Sequence, residues 1–196
     1  MNVIMGNMER RETWAEALVL GLVALALLAG WALRGYAVWR TSLFAGETLS
    51  VSYTYGWTLS EQGGTVRFRD MRSGGIPAEF AVRAVQIVGI TSITQTLAFE
   101  GDAMILSRAA EMPAYRVLES DSHFQVQGQP ALRISYAFVH DDPNAFQQHL
   151  PVIMLGEDVL TYQREHLIVF SLQAPEADYS AAQRRFYALV ESARIR

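Results

Sequence analysis

The stretch from Ala17 to Leu33 is the feature that most constrains this chain, because it contains no charged residue. Glu16 precedes this stretch and Arg34 follows it. As a helix it would be roughly 25 Å long, near the lower limit for crossing a bilayer core of about 30 Å. Aromatic side chains that favour the headgroup region lie near its ends: Trp14, Trp31, Tyr36 and Trp39. The sequence therefore predicts a transmembrane signal-anchor helix over residues 13–40.

A cleaved signal peptide and a buried helix of a soluble protein are the alternatives to an anchor. A signal peptide has a shorter apolar core, of about 7–15 residues, and ends at an Ala-x-Ala-like cleavage site. Here Trp31, Arg34 and Tyr36 stand where small residues would be needed. A buried helix of a soluble protein is seldom apolar on every face. We therefore favour an uncleaved anchor.

Charges on the two sides of the anchor predict its orientation. Arg10, Arg11 and the amino terminus precede it, whereas Arg34 and Arg40 follow it, a bias of about one charge toward a cytoplasmic amino terminus. We expect an N-terminal tail over residues 1–12 and a single-pass protein of the inner (plasma) membrane. Its C-terminal domain would then lie on the periplasmic side.

Small residues recur within the anchor at the spacing of one helical turn. Ala17 and Gly21 form one pair, and Ala26 and Gly30 form another. Such pairs let a second transmembrane helix approach closely. The two pairs lie half a turn apart at about 100° per residue, so they predict two different helical neighbours. Small residues that simply face lipid are the alternative.

The remaining chain predicts a short linker over residues 41–47 and one domain over residues 48–196. A linker of this length reaches only about 20 Å, so the domain should lie close to the membrane. The formal net charge of −4 argues against nucleic acid as a partner, because nucleic acid requires a clustered basic surface. The absence of cysteine excludes disulfides, thiolate metal sites and iron–sulfur clusters.

Hydrophobic patterning predicts an α+β domain with a largely antiparallel sheet, because most links between strands are short. Helices are predicted over Thr91–Ala110 and from Pro175 onward, the second with an apolar stripe of Tyr179, Ala182, Phe186, Leu189, Val190 and Ala193. A turn is predicted at Gly156–Asp158. Strands are predicted over Thr48–Tyr55, Thr65–Arg69, Ala78–Ile90, Tyr115–Leu118, His123–Val126, Ala131–Val139, Val152–Leu155, Val159–Arg164 and His166–Gln173.

The order of these segments resembles a known family. The segments that carry the resemblance are Tyr53–Trp57, Val66–Asp70 (VRFRD), the loop Ser73–Pro77, Gly128–Val139 (GQPALRISYAFV), Leu160–Tyr162, His166–Gln173 and the closing helix with Phe186 and Leu189. From Thr48 to Ile195 the chain resembles the PsbP-like domain, shared by the extrinsic lumenal PsbP subunit of photosystem II and by the Ran-binding Mog proteins. The resemblance implies a sheet flanked by helices on both sides, and a role in binding or assembly rather than catalysis. Mature PsbP has no transmembrane helix, so the anchor is a departure from that family.

Candidate metal ligands are concentrated in one polar loop: His140, Asp141, Asp142 and His149. Imidazole and carboxylate groups can together bind Zn²⁺ or Mn²⁺. The chain has no His-x-x-x-His helix, so we favour a solvated loop without a metal. It also lacks a Gly-x-Ser-x-Gly elbow, a Walker loop and a Gly-x-Gly-x-x-Gly sequence. We expect no cofactor and no enzymatic activity.

Aromatic residues outside the anchor are mostly expected in the core. Tyr55, Trp57 and Phe146 are the candidates for a contact surface instead.

The sequence therefore predicts a non-catalytic accessory or assembly subunit of a larger membrane complex. Its partners would be the lipid bilayer and other subunits of a bacterial respiratory or photosynthetic electron-transfer complex. The alternative is a membrane-anchored domain that binds a small molecule or lipid, as a sensor or carrier. A cavity of a few hundred Å³ with several convergent polar groups would favour that alternative.

Overall fold

A computed structural model describes residues 18–33, 35, 40–71, 75–90, 92–140 and 151–195. The chain divides into two compact units, Met1–Thr41 and Ser42–Arg196. In the first unit, residues 18–33 are helical (α1), and every one of them is exposed. Among the residues described, no helix combines the length and the hydropathy that a membrane span requires. The predicted anchor over 13–40 lies partly outside these residues.

From residue 41 onward, the described part of the chain forms two helices and eleven strands. The helices are α2 (Ile93–Glu111) and α3 (Glu176–Ser192). The strands are β1 (Thr41–Ala45), β2 (Leu49–Thr54), β3 (Thr58–Gln62), β4 (Thr65–Asp70), β5 (Ala78–Gln86), β6 (Arg116–Asp121), β7 (Gln125–Val126), β8 (Gln129–His140), β9 (Val152–Gln163), β10 (His166–Pro175) and β11 (Arg194–Ile195).

Most strands belong to one eight-stranded sheet with the order β3-β4-β5-β10-β9-β8-β6, in which β7 pairs with β8. The strands β1, β2 and β11 form a separate three-stranded sheet. Every strand pair whose register is described is antiparallel, which confirms the prediction of a largely antiparallel sheet. Strand β10 lies between β5 and β9, so it joins the first half of the domain to the second.

The large sheet has a hydrophobic core on each face. On one face, α3 packs through its predicted apolar stripe, of which Ala182, Phe186, Leu189 and Val190 are buried. On the other face, α2 packs through Leu97 against a smaller cluster: Leu132, Ile134, Leu160, Leu167 and Val169. Because side chains alternate along a strand, β9 and β10 contribute to both cores. A sheet with helices on both sides is therefore confirmed.

The close approach of α2 to β8 depends on a glycine. A Cβ atom at Gly101 would lie 2.3 Å from Cδ2 of Leu132, a distance that real Cβ atoms do not show. Glycine costs about 1 kcal/mol in a helix relative to alanine. It is tolerated here because it lets the helix axis approach the sheet.

The prediction of a turn at Gly156–Asp158 is wrong. Residues Val152–Gln163 form one continuous strand, β9. A Cβ atom at Gly156 would lie 2.2 Å from the ring of Tyr136, so this glycine makes room for a side chain on β8. The neighbouring carboxylates are both buried, Glu157 at 0 % and Asp158 at 1 % exposure, and each has hydrogen-bond partners from a helix. Side chains from distant parts of the chain thus donate hydrogen bonds to the carboxylates of residues that usually favour a turn.

Strand β3 has no counterpart among the strands that the sequence predicts, because all five of its residues are exposed and show no alternation. It pairs with β4 through a turn at Gly63 and Gly64. Both glycines have positive φ values, 58° and 73°, as tight hairpin turns require.

Candidate functional site

The face of the large sheet that carries α2 is only half covered. Helix α2 packs over β8 and β9, and the neighbouring part of the face, formed by β10, β5 and β4, borders a cavity of about 490 Å³. We call this cavity the α2 cleft. It lies entirely within the second unit, and its walls are one face of α2 and one face of four strands, β4, β5, β10 and β9.

Helix α2 contributes one wall through residues three or four positions apart, which share one face of a helix. The residues on this wall are Glu100, Ala103, Met104, Ser107, Arg108, Glu111 and Met112. They lie beside the seam of Leu97 and Gly101 that packs on β8 and β9. The helix therefore has one apolar face for packing and an adjoining polar face for the cleft.

The strands contribute the opposite wall through residues that share one face. The strand registers align Arg67 with Ala81, Ala81 with Ser171 and Ser171 with Asp158. The next row in one direction joins Thr65, Arg83, Val169, Leu160 and Leu132. The small side chains of Ala81 and Ser171 leave space between the sheet and α2, which is why the cleft exists.

A buried ion pair lies at the inner end of this wall. The guanidinium group of Arg108 donates from Nε and Nη2 to the two carboxylate oxygens of Asp158, at 3.3 and 3.0 Å. Nη2 also donates to Oγ of Ser171 at 3.0 Å. Burial raises the pKa of Asp158 above its ordinary value, and this effect outweighs the opposing attraction of Arg108. The pair attaches α2 to β9 and β10.

Arg108 also lies 5.7 Å from the ring centroid of Tyr136, within the range of a cation–π contact. Tyr136 is fully buried, and burial raises the pKa of its hydroxyl. The guanidinium group is therefore held by a carboxylate, a hydroxyl and an aromatic face at once, which fixes its position in the cleft wall.

Five further charged side chains line the cleft: Arg67, Glu79, Arg83, Glu100 and Glu111. Arg67 donates to Glu79 at 2.9 Å, and Glu79 also accepts from Arg69, which lies outside the cleft, at 2.9 Å. Arg83 on the strand wall and Glu100 on the helix wall form no ion pair with any side chain that the structure describes. Glu111 forms no ion pair among the described residues either, but it accepts a hydrogen bond from Ser107 Oγ at 3.0 Å. Among the described charged groups of the cleft, Arg83 and Glu100, on opposite walls, thus have neither an ion pair nor a side-chain hydrogen bond.

A second buried carboxylate, Glu157, lies on the opposite face of the sheet, toward α3. Its Oε2 accepts hydrogen bonds from Tyr179 Oη at 3.0 Å and from Gln183 Nε2 at 2.8 Å, and its Oε1 accepts one from Tyr187 Oη. These donors are spaced by four residues on one stripe of α3. Burial and the interaction with Glu157 raise the pKa of Tyr187 to about 12. This network attaches α3 to β9.

The predicted metal ligands do not form a site in the part of the chain that the structure describes. His140 is exposed at the end of β8, while Asp141, Asp142 and His149 lie outside the described residues. Within those residues, no group of three or more His, Asp or Glu side chains is arranged to bind a metal ion.

The predicted contact surface needs a correction at Trp57. The Trp57 indole is 6 % exposed and stacks on Phe80 with a centroid distance of 4.2 Å, so it belongs to the core. Phe80 lies on β5 and belongs to the same hydrophobic cluster as Phe186 of α3, so Trp57 extends the core on that face of the sheet. Tyr55 is 55 % exposed, and Phe146 lies outside the described residues.

The predicted helix-packing residues are exposed where they are described. Gly21, Ala26 and Gly30 lie on α1, and a Cβ atom at either glycine would meet nothing within 4 Å. Ala17 lies outside the described residues. Whether these residues contact another helix stays a prediction.

Sequence reasoning missed Arg108, Asp158 and the unpaired charges of the cleft. One signal was present: a helical segment carried Glu100, Ser107 and Arg108 beside its apolar positions, where a fully packed helix would carry apolar residues. The pairing of Arg108 with Asp158, however, joins residues 50 positions apart, and only the tertiary structure reveals it.

The comparisons with solved structures concern the second unit. Cyanobacterial PsbP (CyanoP) from Synechocystis sp. PCC 6803 matches with a TM-score of 0.58 and 16 % identity, over 80 % of this chain and 92 % of that protein. The domain has a PsbP-like fold. This agrees with the resemblance seen in the sequence, and at this identity the similarity shows the fold alone.

Two other solved structures share the PsbP-like fold. The Ran-binding protein Mog1p from Saccharomyces cerevisiae has a TM-score of 0.50 and 10 % identity, over 80 % of this chain and 95 % of that protein. LpqN from Mycobacterium tuberculosis, described as involved in cell envelope biogenesis, has a TM-score of 0.50 and 10 % identity, over 80 % and 90 % of the two chains. No protein-family model and no curated protein sequence matches this chain.

Proposed function

We propose that this chain is a non-catalytic, membrane-anchored accessory subunit whose PsbP-like domain serves in binding or assembly. The observation that carries the proposal is α1, whose residues 18–33 are uncharged, helical and all exposed. An exposed apolar surface of this size requires lipid or another protein to cover it. A membrane would supply the lipid, and a neighbouring transmembrane helix would supply the protein contact.

The proposal extends to the location and the partners. The anchor would hold the chain in the inner (plasma) membrane with the PsbP-like domain on the periplasmic side. The partners would be other subunits of a respiratory or photosynthetic electron-transfer complex. In support, CyanoP is a PsbP protein, and LpqN is described as involved in cell envelope biogenesis. Mog1p is named for binding Ran, so a protein with this fold can bind another protein.

The test is purification of the complex with variants of α1. Gly21→Leu and Gly30→Leu add bulk on opposite sides of the helix, where the chain itself leaves open space. Each should release the chain from its assembly without unfolding the domain. Ala29→Leu is the matched control, because it adds bulk about 80° away from Gly21 and about 100° from Gly30.

The measurement is co-migration with partner subunits after extraction in a mild detergent, followed by native electrophoresis. Loss of co-migration in both glycine variants but not in Ala29→Leu supports the proposal. Migration of the unaltered chain as a free monomer, while neighbouring complexes stay intact, contradicts it. If both glycine variants assemble normally, α1 does not make the contact.

The second candidate function is binding of a small molecule by the domain. The α2 cleft favours it, because a cavity of about 490 Å³ with convergent charged groups falls in the range of ligand sites. A membrane-anchored sensor or carrier would combine this cleft with the anchor. Saturable binding of a small ligand by the purified chain would support this function.

A further inference from the structure

Two charged side chains, which have no ion pair among the described residues, lie on opposite walls at one end of the α2 cleft. The strand registers place Arg83 in one row with Val169, Leu160 and Leu132. A Cβ atom at Gly101 would touch Leu132, so the start of the helix wall, where Glu100 lies, is over that same row. Arg83 and Glu100 therefore belong to the same end of the cleft.

These two side chains do not neutralise each other. An ion pair requires a nitrogen and an oxygen within 4.0 Å, and within the described part of the domain Arg83 and Glu100 form none. The other charges that line the cleft have partners: Arg67 pairs with Glu79, Arg108 with Asp158, and Glu111 accepts a hydrogen bond from Ser107 at 3.0 Å. A cation and an anion are thus left available on opposite walls.

We propose that the α2 cleft binds a small zwitterion, with its anionic group at Arg83 and its ammonium group at Glu100. The inference rests on the second candidate function, ligand binding by the domain. It adds the chemical class of the ligand and the two residues that recognise its charges. Nearby donors and acceptors on the same walls, such as Arg67 and Glu111, would contribute to the same recognition.

The balance of charge argues for a zwitterion rather than an anion or a cation. The charged side chains that line the cleft are three arginines and three glutamates: Arg67, Arg83, Arg108, Glu79, Glu100 and Glu111. A purely anionic ligand would be repelled by the glutamates, and a purely cationic ligand would be repelled by the arginines. Like charges at close range cost free energy, so a ligand with both signs is favoured.

The space between Arg83 and Glu100 suits a short uncharged spacer. Leu160 and Val169 stand in the row between Arg83 and Leu132, and Met104 lines the helix wall, so apolar side chains lie between the two charged groups. Two sources share this chemistry: a free zwitterion such as a short peptide, and the headgroup of a zwitterionic phospholipid. Arginine binds carboxylate and phosphate equally well by geometry, so the experiment has to separate these sources.

The experiment is calorimetric titration of the full chain in an uncharged maltoside detergent. Triglycine serves as the free zwitterion, and glycerophosphoethanolamine serves as the soluble headgroup. N-acetyl-triglycine and triglycine amide are the matched probes, since the first keeps only the anionic charge and the second keeps only the ammonium charge. We expect saturable binding of at least one zwitterion, and about tenfold weaker binding of its singly charged analogue.

Two variants test the assigned residues. Arg83→Gln and Glu100→Gln should each weaken binding of the zwitterion about tenfold, because each removes one charge-assisted contact. Arg184→Gln is the matched control, since Arg184 is an exposed arginine on α3, on the other face of the sheet. Arg83 is exposed and Glu100 is half-buried, so the fold should be retained in both variants, as circular dichroism would verify.

The outcomes separate the ligands and the functions. Binding of triglycine alone assigns the cleft to a peptide-like carboxylate, and binding of glycerophosphoethanolamine alone assigns it to a lipid headgroup. No saturable binding of either probe, equal binding of the singly charged analogues, or no effect of Arg83→Gln and Glu100→Gln overturns the inference. Assembly measured by native electrophoresis on the same variants reports separately on the accessory function, because these residues lie outside the anchor.

Discussion

Removal of the Arg108 guanidinium should destabilise the domain more than any other single loss of an arginine in the α2 cleft. Arg108→Met keeps the length of the side chain but leaves the Asp158 carboxylate, 1 % exposed, without its cation. Breaking a buried ion pair in this way costs about 3–5 kcal/mol. Because the Arg108 side chain is itself 19 % exposed, water can reach the site, and we expect the lower end, about 3 kcal/mol.

Two variants provide the comparison. Arg108→Met combined with Asp158→Leu removes both charges, and such apolar replacements are often neutral, so its stability should lie within about 1 kcal/mol of the unaltered chain. Arg67→Met breaks an ion pair with Glu79 in which the arginine is 48 % exposed, and should cost at most about 1 kcal/mol.

The assay is urea denaturation of the full chain in maltoside detergent, monitored by tryptophan fluorescence. Trp57 is buried against Phe80 and reports on unfolding of the domain. The cost of Arg108→Met should shrink as the pH is lowered, since burial raises the pKa of Asp158 above its ordinary value and the neutral acid needs no cation. A group with a raised pKa contributes stability at low pH that is lost as the pH rises through its folded value.

Three results would refute this reasoning: a cost no larger than that of Arg67→Met, a cost that does not change with pH, or a double variant as unstable as Arg108→Met alone. Each would mean that Asp158 does not depend on Arg108 for its charge.

Two further predictions concern β9 and its contacts. Gly156→Ala should destabilise the domain by about 1–3 kcal/mol, because its Cβ would overlap the buried ring of Tyr136, whereas Gly75→Ala, with open space around it, should be nearly neutral; urea midpoints measure both. Tyr187 has its pKa raised to about 12, so the stability that it contributes is complete below about pH 10 and is lost between about pH 10 and pH 12. Stability measured across that window should therefore fall less steeply for Tyr187→Phe, and equal slopes would exclude this role of its bond to Glu157.

Local patterns in the sequence were sufficient for most of the framework. Alternation of apolar residues located Ala131–Val139 within β8, and a helical period located the stripe of α3, because each pattern repeats with the geometry of its own element. The short links between strands indicated antiparallel pairing. Strand β3 could not be found in this way, since its side chains are all exposed and its pairing with β4 is a matter of backbone hydrogen bonds.

The sequence by itself determined the uncharged apolar stretch, the absence of thiol chemistry and the alternating strands, because these depend on residues close together in the chain. Only the tertiary structure decided that Glu157 and Asp158 are buried within a strand instead of exposed in a turn. A Gly-Glu-Asp sequence favours a turn unless its carboxylates find partners, and those partners come from α3 and α2, far away along the chain. The α2 cleft likewise exists only because small side chains on separate strands meet beneath one helix. Local sequence patterns do not predict such contacts, because the contacts form between residues that are far apart in the sequence and meet only when the chain folds.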